Sequence, residues 1–362
     1  MFDEFGPEKI IKIFDPKLKF QAFLVIDNTV LGPGKGGIRF VEDVNEEEVF
    51  VLARAMTWKN ALAELPFGGA KAGIKANPNR KDKELIIRRF ARMLEKFIPS
   101  EYIPGPDMNT GEKEMAIIVD ELKNPKAATG KPLELGGLPH ELGSTGFGVA
   151  KATLEMLHFY KLGKDLTVAI EGFGNVGQFT AKFLYEAGLK IVAISDSKGM
   201  VYNKDGLDIE KLIEVKKKGG RVTDYKEGKV MDNKELFGLD VDILIPGARV
   251  FAINEGNKDK IKARLIVEAA NAPIEEKVEK ELEQKGIKIL PDFVANAGGV
   301  ISSWVEYEYG NKVDLMFKIV EEKIKKNVRK VLEKVEKERS FARDAALEIA
   351  KERIFRKMEK KQ

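Results

Sequence analysis

The chain has 362 residues, 43% of them hydrophobic and 33% charged, with 62 Lys and Arg against 58 Asp and Glu for a net charge of +4. That describes a folded chain long enough for two domains, and so small an imbalance of charge gives no footing for nucleic acid as a partner. The absence of cysteine excludes disulfides, thiolate catalysis and thiolate metal sites, and His140 and His158 are not spaced as a metal-binding pair. No apolar run is long enough to cross a bilayer, and the first residues lack a basic-then-apolar signal pattern, so the expected location is cytoplasmic. Abundant Lys and Glu without Cys lean towards a thermophilic source.

Along the first part of the chain, Phe20–Ile26 reads as a strand and Glu47–Leu62 as a helix with an apolar face. Gly32-Pro-Gly-Lys-Gly-Gly-Ile-Arg39 places Lys35 among glycines, and Thr57-Trp-Lys-Asn60 adds Lys59. In Leu65-Pro-Phe-Gly-Gly-Ala-Lys-Ala-Gly-Ile74 the glycines around Lys71 suggest flexible backbone that lets a lysine approach a substrate out of water, where its proton affinity falls. Lys83–Phe97 has apolar residues at helical spacing, and Pro104-Gly-Pro-Asp-Met-Asn109 fixes Asp107 in a proline-stiffened loop. Thr110 is the expected N-cap of the next helix, with Glu112 and Glu114 in its first turn; Lys113 at the third position argues against a capping box.

From about Gly146 the pattern changes. Leu166–Gly172, Ile191–Ile194, Val241–Ile245, Leu265–Val267 and Ile287–Leu290 are short apolar strands separated by helical stretches, which predicts a parallel sheet covered on both faces. Gly172-Phe-Gly-Asn-Val-Gly177 follows the first of them and opens the predicted helix Val176–Ala187. In that setting Gly-X-Gly-X-X-Gly is a dinucleotide fingerprint: Gly172 for the tight turn, Gly174 for approach of the pyrophosphate, Gly177 for close helix–strand packing. The helix N-terminus adds free N–H groups and a positive dipole for the phosphates. Asp196, ending the second strand, is placed to bind ribose hydroxyls, which favours NAD. Ser197 and Lys198 beside it suit a 2′-phosphate, so NAD and NADP both stand as cofactors. After about Asp314 the chain is charged and helical.

These motifs resemble the glutamate/leucine/phenylalanine/valine dehydrogenase family. The resemblance runs from about Gly32 to Glu308 and includes the Lys35, Lys59, Lys71 and Gly172–Gly177 segments together with Asn296-Ala-Gly-Gly-Val300. It implies Lys71 as the catalytic lysine that activates water and Asp107 as its acid–base partner. It further implies Lys59 on the substrate α-carboxylate, Lys35 and Ser303 on a distal carboxylate, and Val300 lining the same pocket. Thr145 and Asn296 match residues near the nicotinamide carboxamide, and Asn175 and Asn271, with Val176, match cofactor contacts. The branched-chain and aromatic members carry apolar residues where this chain has Lys35 and Ser303, so the implied substrates are L-glutamate, or 2-oxoglutarate and ammonium. Gly136–Thr145 and the Pro-Gly-Pro-Asp loop depart from the forms common in the family.

The expected fold is therefore α/β. Residues 1–143 form a substrate-binding and oligomerisation domain, and 144–325 a Rossmann-like, doubly wound NAD(P)-binding domain. Helices 326–362 pack back on the first domain, and the active site lies in the interdomain cleft. The family implies a homohexamer. Two other readings are a leucine-, valine- or phenylalanine-type dehydrogenase and a non-catalytic nucleotide-sensing module. Lys35 argues against the former, and Lys71 with Asp107 against the latter.

Overall fold

The computed structural model describes residues 2–360. They divide into two compact units. One takes in the chain up to Leu142, Val300–Ile319 and the residues from Leu347 on; the other comprises Gly143–Gly299 and Val320–Ala346.

The first unit is built on strands β1 (Lys9–Asp15), β2 (Phe20–Asn28) and β3 (Gly34–Val41), helix α1 (Glu46–Leu62), strand β4 (Gly68–Lys75), helix α2 (Lys83–Met93), strand β5 (Tyr102–Gly105) and helix α3 (Glu112–Leu122). The strands form one sheet in the order β1-β2-β4-β3-β5, with β3 parallel to β4 and β5 and the remaining pairs antiparallel. Alternation along β2, β3 and β4 sends Leu24, Ile26, Ile38, Phe40, Ala70, Ala72 and Ile74 into a core with Ile86 and Phe90 of α2 and Ile118 of α3. The opposite face receives α1, whose Asn45 cap accepts the Glu48 N–H at 2.9 Å and whose first turn is acidic.

Two expectations change here. Lys71 is not on flexible backbone: it lies within β4, paired to β2 and β3. Its neighbouring glycines serve close packing instead. A Cβ on Gly69 would collide with Thr57 and Ala53 of α1, and one on Gly73 with Val44 and Val49. The N-cap of α3 is Gly111 rather than Thr110, and Glu114 reaches back to the Gly111 N–H at 2.8 Å, half of a capping box that a glycine cap cannot complete. The Thr110 hydroxyl is engaged elsewhere, accepting from the Asp107 N–H at 3.0 Å and donating to the Ile38 carbonyl at 2.6 Å.

The second unit holds helix α4 (Ser144–Phe159), strand β6 (Thr167–Glu171), helix α5 (Asn175–Glu186), strands β7 (Lys190–Asp196) and β8 (Gly199–Tyr202), helix α6 (Ile209–Lys217) and strands β9 (Lys229–Met231), β10 (Ile243–Pro246) and β11 (Leu265–Val267). Helix α7 (Glu276–Gln284), strand β12 (Lys288–Leu290) and helix α8 (Asp292–Ala295) follow. Its sheet runs β12-β11-β10-β6-β7-β8-β9. The five strands read from the sequence are parallel, but β8 and β9 extend the sheet antiparallel, so it is mixed. Both additional strands are short: β9 is largely exposed, and the buried Met200 and Val201 of β8 make too brief an apolar run to stand out.

Helices α9 (Gly298–Tyr309), α10 (Val313–Glu338) and α11 (Ala342–Glu359) close the described chain, and the unit boundaries fall inside them. The expected partition set these bounds at 144–325 and 326–362 instead. Val300–Ile319 joins the first unit because the buried Glu306 carboxylate accepts from the Gly130 N–H (2.7 Å), the Leu138 N–H (2.8 Å) and Lys131 Nζ (2.5 Å). Val320–Ala346 stays with the second, tied by Arg329 to Glu155 at 2.6 Å and by Arg343 to Glu268 at 2.7 Å. No helix among the described residues is long and apolar enough to cross a membrane.

Candidate active site

Strand alternation puts Lys35, Gly37 and Arg39 on one face of β3, and the register Lys35↔Gly69 and Arg39↔Gly73 puts Lys71 on the same face of β4. Asp107 arrives from the loop after β5, and Gly37 makes room for it, since a Cβ there would strike Asp107 Cβ. Lys71 Nζ lies 2.7 Å from Asp107 Oδ2, and Arg39 Nε lies 3.2 Å from the same oxygen. Burial alone would raise the Asp107 carboxyl, but the Lys71 ammonium and the Arg39 guanidinium outweigh it and hold the group below the ordinary carboxylate range. Asp107 is thus an anion held between two cations, and Lys71 is only 7% exposed.

Lys35 is 3% exposed, and among the described residues no carboxylate lies within ion-pairing distance of it. Burial is the largest influence on it, Glu306 opposes that influence, and Lys71 and Lys131 add to it; the lysine is brought down from 10.5 to about 7. Glu306 is already engaged by Lys131. Lys35 therefore sits in a pocket suited to an anion that the protein does not itself supply. Ser303 lies one helical turn before Glu306 on α9, and Val300 one turn before Ser303, both half-buried. Lys59 occupies the last turn of α1, half-buried, on the helix that packs across β4.

Several participants had no clear mark in the sequence. Arg39 follows Lys35 at the strand period, which is the one signal that could have found it. Thr129 is fully buried, and its hydroxyl has no partner. The space where a Gly105 side chain would stand is shared by the Lys35 ammonium and the Thr129 hydroxyl, so Thr129 faces the same pocket.

In the second unit, the strands flanking β6 are β7 on one side and β10 on the other, the point at which the chain reverses its direction across the sheet. A cleft of about 620 Å³ opens there, lined by Gly172, Phe173, Gly174, Asp196, Ser197 and Lys216 among others. Gly172 has φ +90°, a conformation open to glycine, and nothing lies within 4 Å of a Cβ on Gly174, which leaves its backbone accessible. A Cβ on Gly177 would strike the Gly172 carbonyl, so that residue is fixed by packing. Asn175 and Val176 form the start of α5, and the Asn175 Oδ1 is buried without a partner. These features fit a dinucleotide phosphate bridge at a helix N-terminus.

Asp196 is more heavily engaged than its position suggested. Its oxygens accept from the Lys198 N–H at 2.9 Å and the Val222 N–H at 3.0 Å, and Lys216 Nζ stands 3.7 Å away. Lys216 comes from α6, too far along the chain to be linked to Asp196 by sequence alone. Thr145 and Asn296 are brought close: the N-terminus of α4 meets the start of α9, where a Cβ on Gly299 would lie 2.8 Å from the Thr145 hydroxyl. Asn296 donates to Ala269, Ala270 and the Asn271 side chain, joining it to Asn271.

Residues 136–362 match the family described as Glutamate/Leucine/Phenylalanine/Valine dehydrogenase, and residues 7–124 match its dimerisation domain. A glutamate dehydrogenase of Aeropyrum pernix is 41% identical over 96% of this chain and 88% of its own length. An NADP-specific glutamate dehydrogenase of Saccharolobus shibatae is 43% identical over 83% of this chain and 75% of its own. The solved hetero-hexameric glutamate dehydrogenase of Thermus thermophilus, in its Leu-bound form, superposes with a TM-score of 0.88 at 27% identity, covering 98% of this chain and 90% of that one. L-tryptophan dehydrogenase of Nostoc punctiforme gives 0.75 at 27% identity, with 98% of each covered.

Proposed function

The chain belongs to the glutamate/leucine/phenylalanine/valine dehydrogenase family, and from this premise we propose that it catalyses the reversible NAD(P)-dependent oxidative deamination of L-glutamate to 2-oxoglutarate and ammonia. The observation that carries the choice of substrate is Lys35: a buried lysine with no carboxylate partner accepts a dicarboxylic amino acid and penalises an aliphatic or aromatic one. Ser303 and Thr129 supply further hydrogen bonds to the distal carboxylate, Val300 shapes the pocket, and Lys59 takes the α-carboxylate.

Asp107, kept anionic by Lys71 and Arg39, takes a proton from the substrate ammonium so that the amine lone pair is free. A bound dinucleotide would supply the acceptor for the hydride of the substrate Cα. Once Asp107 has passed that proton to solvent, Lys71 holds a water against the iminium carbon and Asp107 receives the proton that this water releases; the same proton then passes to the departing nitrogen as the remaining hydroxyl gives up its own proton and the carbonyl forms. Gly172, Gly174, Asn175, Val176 and Gly177 hold the pyrophosphate and Asp196, Ser197 and Lys216 the adenosine end. Thr145, Asn271 and Asn296 hold the nicotinamide end.

The decisive assay follows nicotinamide absorbance with ammonium and either 2-oxoglutarate or 2-oxo-4-methylpentanoate. A kcat/KM at least about 100-fold higher for the dicarboxylate is expected; a preference for the branched monocarboxylate would overturn the assignment. We further propose a homohexamer. The exposed Phe14, Val51 and Leu85 on the dimerisation domain support self-association, and light scattering that gave a monomer would refute it.

A further inference from the structure

Arg343 stands in the first turn of α11, within the second unit, and does not line the dinucleotide cleft. Its guanidinium meets a carboxylate on each side. Nε donates to Glu279 of α7 at 2.6 Å, Nη2 to Glu268 after β11 at 2.7 Å, and Nη1 to Asp292 at the start of α8 at 3.0 Å. All three carboxylates are buried. Burying three acids around one cation is a poor way to stabilise a fold, because an apolar cluster of the same volume serves as well or better. Burial raises both Glu268 and Glu279, against the opposing pull of Arg343, as expected of acids in excess over their counter-charge.

What these acids hold in turn suggests a different purpose. Glu268 accepts from the Asp292 N–H at 2.9 Å, and the second Asp292 oxygen accepts from the Ala272 N–H at 2.9 Å. The Asp292 carbonyl accepts from the Asn296 N–H at 2.7 Å. Asn296 is 6% exposed; its amide nitrogen is shared among Ala269, Ala270 and Asn271, while its Oδ1 is buried without a partner. A short chain of bonds thus runs from the guanidinium through Asp292 to both the Asn271–Ala272 turn and an amide oxygen in need of a donor.

We propose that Arg343 is a positioning residue for the nicotinamide end of the dinucleotide site, acting through Asp292 to fix Asn296 and the Asn271–Ala272 turn where the carboxamide binds. The proposal rests on the reading of Asn271 and Asn296 as nicotinamide contacts. The planar fork of arginine reaches three carboxylates in fixed directions, and a lysine keeps the charge but not those directions. Contacts held this way govern a ligand only where the supported residues touch it.

The test compares the intact enzyme with Arg343→Lys, Asp292→Asn and Asn296→Ala. For each, the Kd of the reduced dinucleotide that the enzyme turns over is measured beside that of its nicotinamide-free fragment, ADP-ribose or the 2′-phosphate of ADP-ribose. Arg343→Lys should weaken the dinucleotide about 5-fold or more and leave the fragment within about 2-fold. Asp292→Asn, which keeps the shape but has one acceptor oxygen for two donors, should do the same and serves if the lysine variant does not fold. Loss of both ligands together, or of neither, in these two variants overturns the positioning role and marks Arg343 as structural. If Asn296→Ala leaves dinucleotide affinity unchanged, the reading of Asn296 itself fails, and the proposal with it.

Discussion

Raising the pH should weaken the binding of 2-oxoglutarate through Lys35, and the size of the effect follows from the structure. Lys35 is brought down to about 7 by burial, opposed by Glu306 and reinforced by Lys71 and Lys131. In the free enzyme about half of the Lys35 side chains are charged near pH 7, about a tenth near pH 8 and about a hundredth near pH 9. A carboxylate entering that pocket requires the charged form. The Kd for 2-oxoglutarate should therefore rise about 50-fold between pH 7 and pH 9, equivalent to roughly 2 kcal/mol. Binding near pH 8 should take up close to one proton (about 0.9). Asp107 titrates well below this window and does not contribute. Calorimetry in buffers of different ionisation enthalpy reads both quantities, with 2-oxopentanoate, which lacks the distal carboxylate, as the control. A Kd for 2-oxoglutarate that stays flat from pH 7 to pH 9 without proton uptake would falsify the assignment of Lys35 as its partner.

Lys71→Ala and Asp107→Asn should each lower kcat by about 100-fold to 10,000-fold with a smaller change in KM; initial rates that match the parent would remove the pair from the chemistry. Lys35→Met should stabilise the fold while abolishing glutamate turnover. The folded-state pKa of Lys35 is below its unfolded value of 10.5, so the native state disfavours the proton, and the penalty is full below about pH 7 and fades as pH rises towards 10.5. The penalty is at most about 5 kcal/mol, and denaturation near pH 6 that found the variant less stable would contradict it. Gly69→Ala should destabilise by about 1–3 kcal/mol or more, because its Cβ meets the α1 backbone at Ala53 and Thr57. Gly163→Ala, with open space at its Cβ, should stay within about 0.5 kcal/mol in the same denaturant titration. Lys216→Ala should shift the NADPH-to-NADH ratio of kcat/KM towards NADH by about tenfold, since it removes the cation that stands 3.7 Å from Asp196 in the adenosine cleft; an unchanged ratio means that Lys216 does not face a 2′-phosphate.

Local chemistry was readable in the sequence where a residue's task depends on its immediate neighbours. Gly172–Gly177 can be understood from a strand, a turn and a helix start, all contiguous. The parallel strands β6, β7, β10, β11 and β12 declared themselves because burial on both faces demands apolar runs. What depends on a distant partner was not readable. The glycines around Lys71 looked like a mobile loop because a close-packed strand and a turn use the same residue type. They are told apart only by α1 lying on the other side of Gly69. β8 places only Met200 and Val201 in the core and β9 is largely exposed, so neither carries an apolar run long enough to mark it. The boundaries within α9, α10 and α11 depend on Glu306 finding Lys131 and Arg343 finding Glu268, pairings between charged residues that in sequence resemble any solvated helix face.

The contrast between Lys35 and Lys71 shows why burial alone does not define a lysine's task. Both are buried on one face of one sheet, and each lies in the other's field. Lys71 has a carboxylate at 2.7 Å, a partner that stays anionic because Arg39 shares it. A lysine paired in this way can orient a water or a developing negative charge without a bound anion. Lys35 has only the indirect field of a glutamate already held by Lys131, so its own charge is incomplete until a ligand brings one. The first arrangement suits a group that must work in every turnover. The second suits a group that must reject substrates lacking a second carboxylate, because an alkyl chain in that pocket would leave the lysine neutral or unpaired. Under the proposed assignment, selectivity for a dicarboxylic amino acid follows from which of the two lysines has no carboxylate partner among the described residues.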